Sequence, residues 1–119
     1  MTTKKIQELV CCKDVLHILF DLNTLDFQVF KRLWENSETR ADDLAKQMKK
    51  ERSTIYRSLQ KLTSCGLCIK TTNTLAGGGY YHTYVCTDTQ QIKQDLQQCV
   101  DNWYQQMKQI LQQFNEELS

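Results

Sequence analysis

Apolar residues recur along this chain in four helical rhythms, then a β rhythm, then one long helical rhythm. Between Lys4 and Phe20 they fall at Ile6, Leu9, Val10, Leu16 and Phe20, a spacing that predicts an amphipathic helix. Asn23 or Thr24 can cap a second helix, with Asp26 in its first turn. Its apolar face is Leu25, Val29, Phe30, Leu33 and Trp34. Thr39 is the expected N-cap of a third helix, with Asp42 and Asp43 behind it and Leu44, Ala45 and Met48 on one side. A fourth helix is predicted from about Arg52 to Ser64, presenting Ile55, Leu59 and Leu62 inward. Gly66 stands where a helix end favours a left-handed residue.

After Gly66 the period changes. The stretches GLCIKTTNT and YYHTYVCT are rich in β-branched and aromatic residues, with Gly77, Gly78 and Gly79 between them, and predict a hairpin. From Thr89 to Leu118 the apolar residues return at steps of three and four, including Ile92, Leu96, Trp103, Ile110 and Phe114. A helix of that length extends beyond a domain of this size and implies a packing partner.

The element order is helix, helix, short turn, helix, hairpin. That is a winged helix-turn-helix, in which the last helix of the triad enters the major groove. The expected fold is mostly α with a small β-hairpin and with N- and C-terminal dimerisation helices. The expected division is residues 1–22 for the N-terminal helix, 23–87 for the winged helix-turn-helix and 88–119 for the C-terminal helix.

Composition changes the picture in one respect. The 119 residues carry a net charge of only +1, but it is unevenly distributed. Met1 to Thr39 sums to −1, Arg40 to Lys70 to +5, and Thr71 to Ser119 to −3. The cationic block coincides with the third and fourth helices, where it can meet phosphates. On the fourth helix the outward set is Arg52, Ser53, Thr54, Tyr56, Arg57, Gln60 and Lys61. An arginine fork can grip guanine, and Ser, Thr and Gln can reach base edges or phosphates. Tyr56 and Arg57 are the expected base readers, with Ser53 and Thr54 assisting. Lys49, Lys50, Arg52 and Lys61 are the expected phosphate contacts.

These residues carry a resemblance. The run RADDLAKQMKKERSTIYRSLQKLTSCGL resembles the helix-turn-helix of TrmB/MarR-type winged-helix regulators, most specifically in RSTIYRSLQKL, Arg52 to Leu62. LNTLDFQVFKRLW, Leu22 to Trp34, is similar to the family's first helix. The resemblance implies operator binding as a dimer and DNA contacts from Ser53, Thr54, Tyr56 and Arg57. Two departures stand out. The turn carries Lys49, Lys50 and Glu51 where the family usually has Gly and an apolar residue, and LAGGGYYHT lacks the arginine usual near the wing tip. A lysine in a left-handed turn costs about 1 kcal/mol relative to glycine.

Two further readings remain open. A winged helix can instead serve as a protein-interaction module in a transcription or chromatin complex. The cysteines Cys65, Cys68 and Cys86, with His82, form a Cys-x2-Cys…His-x3-Cys string that resembles zinc-ligand spacing. Against the zinc site stand a Cys65–Cys68 redox pair at the end of the recognition helix and the plainer reading of core thiols. No cofactor is expected beyond that candidate zinc. No phosphate-cradling glycine loop follows a strand, and no paired carboxylates mark an enzyme. The N-terminus lacks the layout of a secretion signal, and no apolar run approaches bilayer length. The expected location is the cytoplasm, and the expected partners are double-stranded DNA and a second copy of the chain.

Overall fold

A computed structural model describes residues 12–118. The order is α1 (Cys12–Phe20), α2 (Thr24–Glu35), α3 (Ala41–Met48), α4 (Arg52–Ser64), β1 (Cys68–Thr74), β2 (Tyr80–Cys86) and α5 (Thr89–Leu118). The part of the first predicted helix over residues 4–11 lies outside the described residues. The chain divides into two compact units, one ending at Thr87 and the other beginning at Asp88.

In the first unit, α1 buries Leu16 and ends at Asp21, which takes a left-handed φ of 57° and returns its N–H to the His17 carbonyl. Asn23 caps α2 through a full capping box. Its side chain accepts from the Asp26 N–H, and the Asp26 carboxylate accepts from the Asn23 N–H. This satisfies two of the amides that a helix start leaves without partners. Val29 and Leu33 are fully buried on α2, and they meet Leu44 of α3 and Ile55, Leu59 and Leu62 of α4 in one core. Trp34, expected on the same buried face, is nearly half exposed. It lies edge-on to Phe30.

α4 ends in a Schellman arrangement. Gly66 adopts φ 77°, its N–H reaches the Thr63 carbonyl, and the Leu67 N–H reaches the Leu62 carbonyl. That reversal sends the chain directly into β1. The two strands pair antiparallel in the register Cys68↔Cys86, Lys70↔Tyr84 and Thr72↔His82. Gly78 and Gly79, with φ of 96° and 89°, close the loop through Leu75.

The expected capping role of Thr39 is corrected by the structure. Arg40 holds the N-cap position of α3 and makes no side-chain cap bond. Thr39 instead exchanges two backbone hydrogen bonds with Tyr84, at 2.9 and 2.8 Å. A β-branched residue beside an open strand edge adds a rung to the sheet, which fastens the helix triad to the hairpin.

In the second unit, α5 is a single 30-residue helix, about 45 Å long at 1.5 Å per residue. Val100, Trp103, Tyr104, Ile110, Leu111, Phe114 and Leu118 are all exposed along it. No helix among the described residues is long and apolar enough to cross a membrane.

Candidate nucleic-acid interface

The α3–α4 turn is built on Lys49. It sits at φ 56°, ψ 46°, and its N–H reaches the carbonyls of Ala45 and Lys46. A left-handed residue is what a reversal of this tightness needs, and here a non-glycine bears the strain. Lys49 and Lys50 are both exposed. The start of α4 is also open, since Glu51 at the N-cap contributes no side-chain cap bond. The first-turn amides of Arg52, Ser53 and Thr54 therefore remain available at the positive end of the helix dipole.

Along α4 the two sides separate cleanly. Ile55, Leu59 and Leu62 are inaccessible, and Ser58 is buried with them. Arg52, Ser53 and Arg57 are exposed, and Thr54 and Tyr56 are half-buried. Arg57 Nε lies 3.4 Å from the Ser53 carbonyl, a weak tether within its own helix. Arg52 Nε lies 2.8 Å from Asp42 Oδ1, and the Arg52 side chain is 74% exposed. A pair that open to solvent is worth little and is easily exchanged for a phosphate.

Lys61 is engaged within the domain. Its Nζ donates to Asp26 Oδ2 at 2.9 Å, while Ser58 Oγ donates to Asp26 Oδ1. Asp26 is only 3% exposed. Burial pushes its carboxyl up, but the hydrogen bonds from Ser58, Lys61 and the Asn23 N–H together outweigh burial and hold it below the ordinary carboxylate value. The Asp26 hydrogen bond is the largest cause that raises the Lys61 ammonium in turn. One carboxylate thus caps α2 and pins α4 to it through Ser58 and Lys61.

Two groups of cations missed by sequence reasoning flank the α4 start. On the turn side, Lys31 and Arg32 of α2 join Lys49 and Lys50 around an open groove of about 480 Å³. On the hairpin side, Arg40 stacks over the Tyr81 ring with its guanidinium carbon 4.8 Å from the centroid. The placement of the α2 cations beside the turn depends on helix packing and leaves no periodic signal.

The sugar-specific transcriptional regulator TrmB family model matches residues 16–90, well over half of the chain, including every element from α2 through β2. The chain belongs to the TrmB family. This TrmB-family chain is 26% identical over 104 residues to the uncharacterized protein MJ1082 of Methanocaldococcus jannaschii, covering 87% of the chain and 86% of that protein. Its fold is similar to that of a possible transcriptional regulator from Methanosarcina mazei, with a TM-score of 0.77 and 28% identity over 84% of this chain and 85% of that one. The ST1889 protein of Sulfolobus tokodaii shares the fold, with a TM-score of 0.66 and 21% identity over 80% of this chain and 93% of that one. The chain is a transcriptional regulator of the winged-helix type.

In this TrmB-family chain the proposed zinc ligands do not converge. His82 pairs opposite Thr72, four residues along the strand from Cys86, which is about 13 Å at strand rise. Among the described residues no group of three or more His, Cys, Asp or Glu is placed to hold a metal. The spacing resembled a ligand set because residues of equal parity share a strand face, but sharing a face does not bring them together. Cys68 is 3% exposed, and its thiol contacts Thr63 Oγ1 and the Leu59 carbonyl. Burial pushes the thiols of Cys65, Cys68 and Cys86 up from their ordinary value, opposite to the depression that activates a thiol. All three are free thiols. Cys11 lies outside the described residues.

Proposed function

We propose that this regulator binds duplex DNA sequence-specifically as a homodimer in the cytoplasm, with α4 in the major groove. The observation that carries the reading is the division of α4 into a fully buried apolar side and an N-terminal half that leaves Arg52, Ser53 and Arg57 exposed and Thr54 and Tyr56 half-buried. Tyr56 and Arg57 read base edges, and Ser53 and Thr54 assist them. Lys49, Lys50 and Arg52 hold phosphates, joined by Lys31 and Arg32 across the turn-side groove. Lys61 drops out of the set because Asp26 holds it.

The dimer surface comes from the terminal helices. Trp103, Tyr104, Ile110, Leu111 and Phe114 form an exposed stripe on α5, and Val15 and Ile18 are exposed on α1. A contiguous apolar stripe of this length is costly in water and suits an obligate partner. Two copies related by a two-fold axis place their recognition helices in successive major grooves, about one helical turn apart.

The test is selection of bound duplexes from a random library, followed by salt titration of the selected site. The reading expects a two-fold-symmetric site and an affinity that falls steeply with salt. Failure to bind any duplex at low salt would move the chain to the protein-interaction class.

A further inference from the structure

The hairpin faces a cleft of about 240 Å³ whose walls include Arg40, Arg52, Tyr56, Tyr80, Tyr81 and His82. Its volume is that of roughly eight liquid waters. The hairpin strands contribute few cations of their own. Lys70 is their one lysine, and its Nζ lies 5.9 Å from the centre of the Tyr56 ring. The charge in the cleft is brought instead by α3 and α4.

Arg40 is the distinctive element. It is exposed, and no ion pair to it is found among the described residues. Its position follows from the backbone. The Thr39–Tyr84 bridge ties residue 39 to β2, so the next side chain emerges beside the same strand and meets Tyr81. Stacking on an aromatic face restrains the guanidinium plane and leaves its N–H edge free to donate. The same bridge takes Thr39 away from capping α3, so the first amides of α3 lack a side-chain acceptor where Arg40, Ala41 and Asp42 line the cleft. Asp42 is the one carboxylate in the wall, and Arg52 lies beside it at 2.8 Å. The remaining polar groups are tyrosine hydroxyls and an imidazole, which can donate to an anion without adding negative charge.

We propose that this cleft is a phosphodiester site, with Arg40 as its principal cation, that seats a backbone phosphate of the bound duplex beside the wing. The proposal rests on the DNA-binding reading, because the cleft shares Arg52 and Tyr56 with the exposed side of α4. The shared chemistry is an oxyanion, which a free small anion could also supply.

The experiment measures affinity of the full chain for one selected duplex across a salt series, for wild type, Arg40→Ala, Arg40→Lys and Lys46→Ala. Lys46 is an exposed α3 lysine outside the cleft wall and controls for loss of any positive charge. Thermal unfolding of each variant confirms an intact fold. One lost phosphate contact lowers the salt slope by about 0.9, which makes Arg40→Ala roughly eightfold weaker near 0.1 M salt and convergent with wild type toward 1 M. Arg40→Lys is expected to recover part of the slope, and Lys46→Ala to keep all of it. An Arg40→Ala protein with wild-type affinity and slope would overturn the cleft while leaving the DNA reading intact, provided Arg57→Ala still weakens binding. A wild type that binds no duplex would sink both. A parallel titration follows the Arg40 guanidinium NMR signal with duplex and with inorganic phosphate. Saturation by duplex alone supports the proposal, and tight saturation by inorganic phosphate would overturn it in favour of a free-anion pocket.

Discussion

The two ends of α4 carry the same kinds of residue and do opposite things. At the N-terminal end, Arg52 and Arg57 are exposed, the helix start has no side-chain cap and the strained Lys49 turn holds two lysines in solvent. At the C-terminal end, Lys61 is tied to Asp26, and Gly66 closes the helix through two backbone hydrogen bonds. One end is open toward a ligand, and the other is locked into the domain. Charge along a sequence therefore assigns function poorly unless packing shows which cations are already engaged.

The sharpest way to break this comparison is to loosen the locked end. Leu59→Ala should cost about 2–5 kcal/mol in urea unfolding, since a fully buried leucine is lost from the centre of the core. Asp26→Ala removes the α2 cap and leaves Ser58 without its acceptor, and should cost about 2–3 kcal/mol by the same measurement. The carboxyl is held below its ordinary value when folded, so its contribution is present above the unfolded pKa of 3.8 and is lost as pH falls through the folded value. The stability gap between wild type and Asp26→Asn should therefore be steady at neutral pH and shrink in acid below that unfolded value. A gap that widens in acid would contradict the sign of the shift.

At the open end, Arg57→Ala should weaken binding to a preferred site by about 1–3 kcal/mol and relax preference at one base position, read by competition between related duplexes. Truncating the dimer stripe should act on assembly rather than on the fold. Trp103→Glu is expected to shift sedimentation toward monomer while leaving the helical circular dichroism of the winged unit intact. The smallest expected effect is that of Lys61→Met. It should lower stability by at most about 1 kcal/mol, because the ammonium is partly solvated, and should leave the salt slope of DNA binding unchanged.

Local features of the fold were legible because they are written within a few residues. Asn23 with Asp26, Ile55 with Leu59 and Leu62, and Gly66 after a helix each state their structure at short range. Thr39 misled because its side chain suits a cap, while its backbone was claimed by Tyr84, 45 residues away. The ion pair of Lys61 was hidden in the same way, because its carboxylate lies 35 residues upstream. Arg40, Lys31 and Arg32 were unremarked because their relevance is long-range: the Thr39–Tyr84 bridge sets Arg40 beside Tyr81, and packing brings Lys31 and Arg32 to the turn lysines. The zinc string misled for a related reason, since equal parity on a strand says nothing of distance along it.

The central claim is that the N-terminal end of α4 reads DNA and its C-terminal end does not. The most direct measurement is a salt titration of Arg57→Ala and Lys61→Met against one selected duplex beside wild type. The account predicts that Arg57→Ala loses affinity for that duplex while Lys61→Met follows the wild-type line. Equal losses in the two variants, or a loss confined to Lys61→Met, would contradict it.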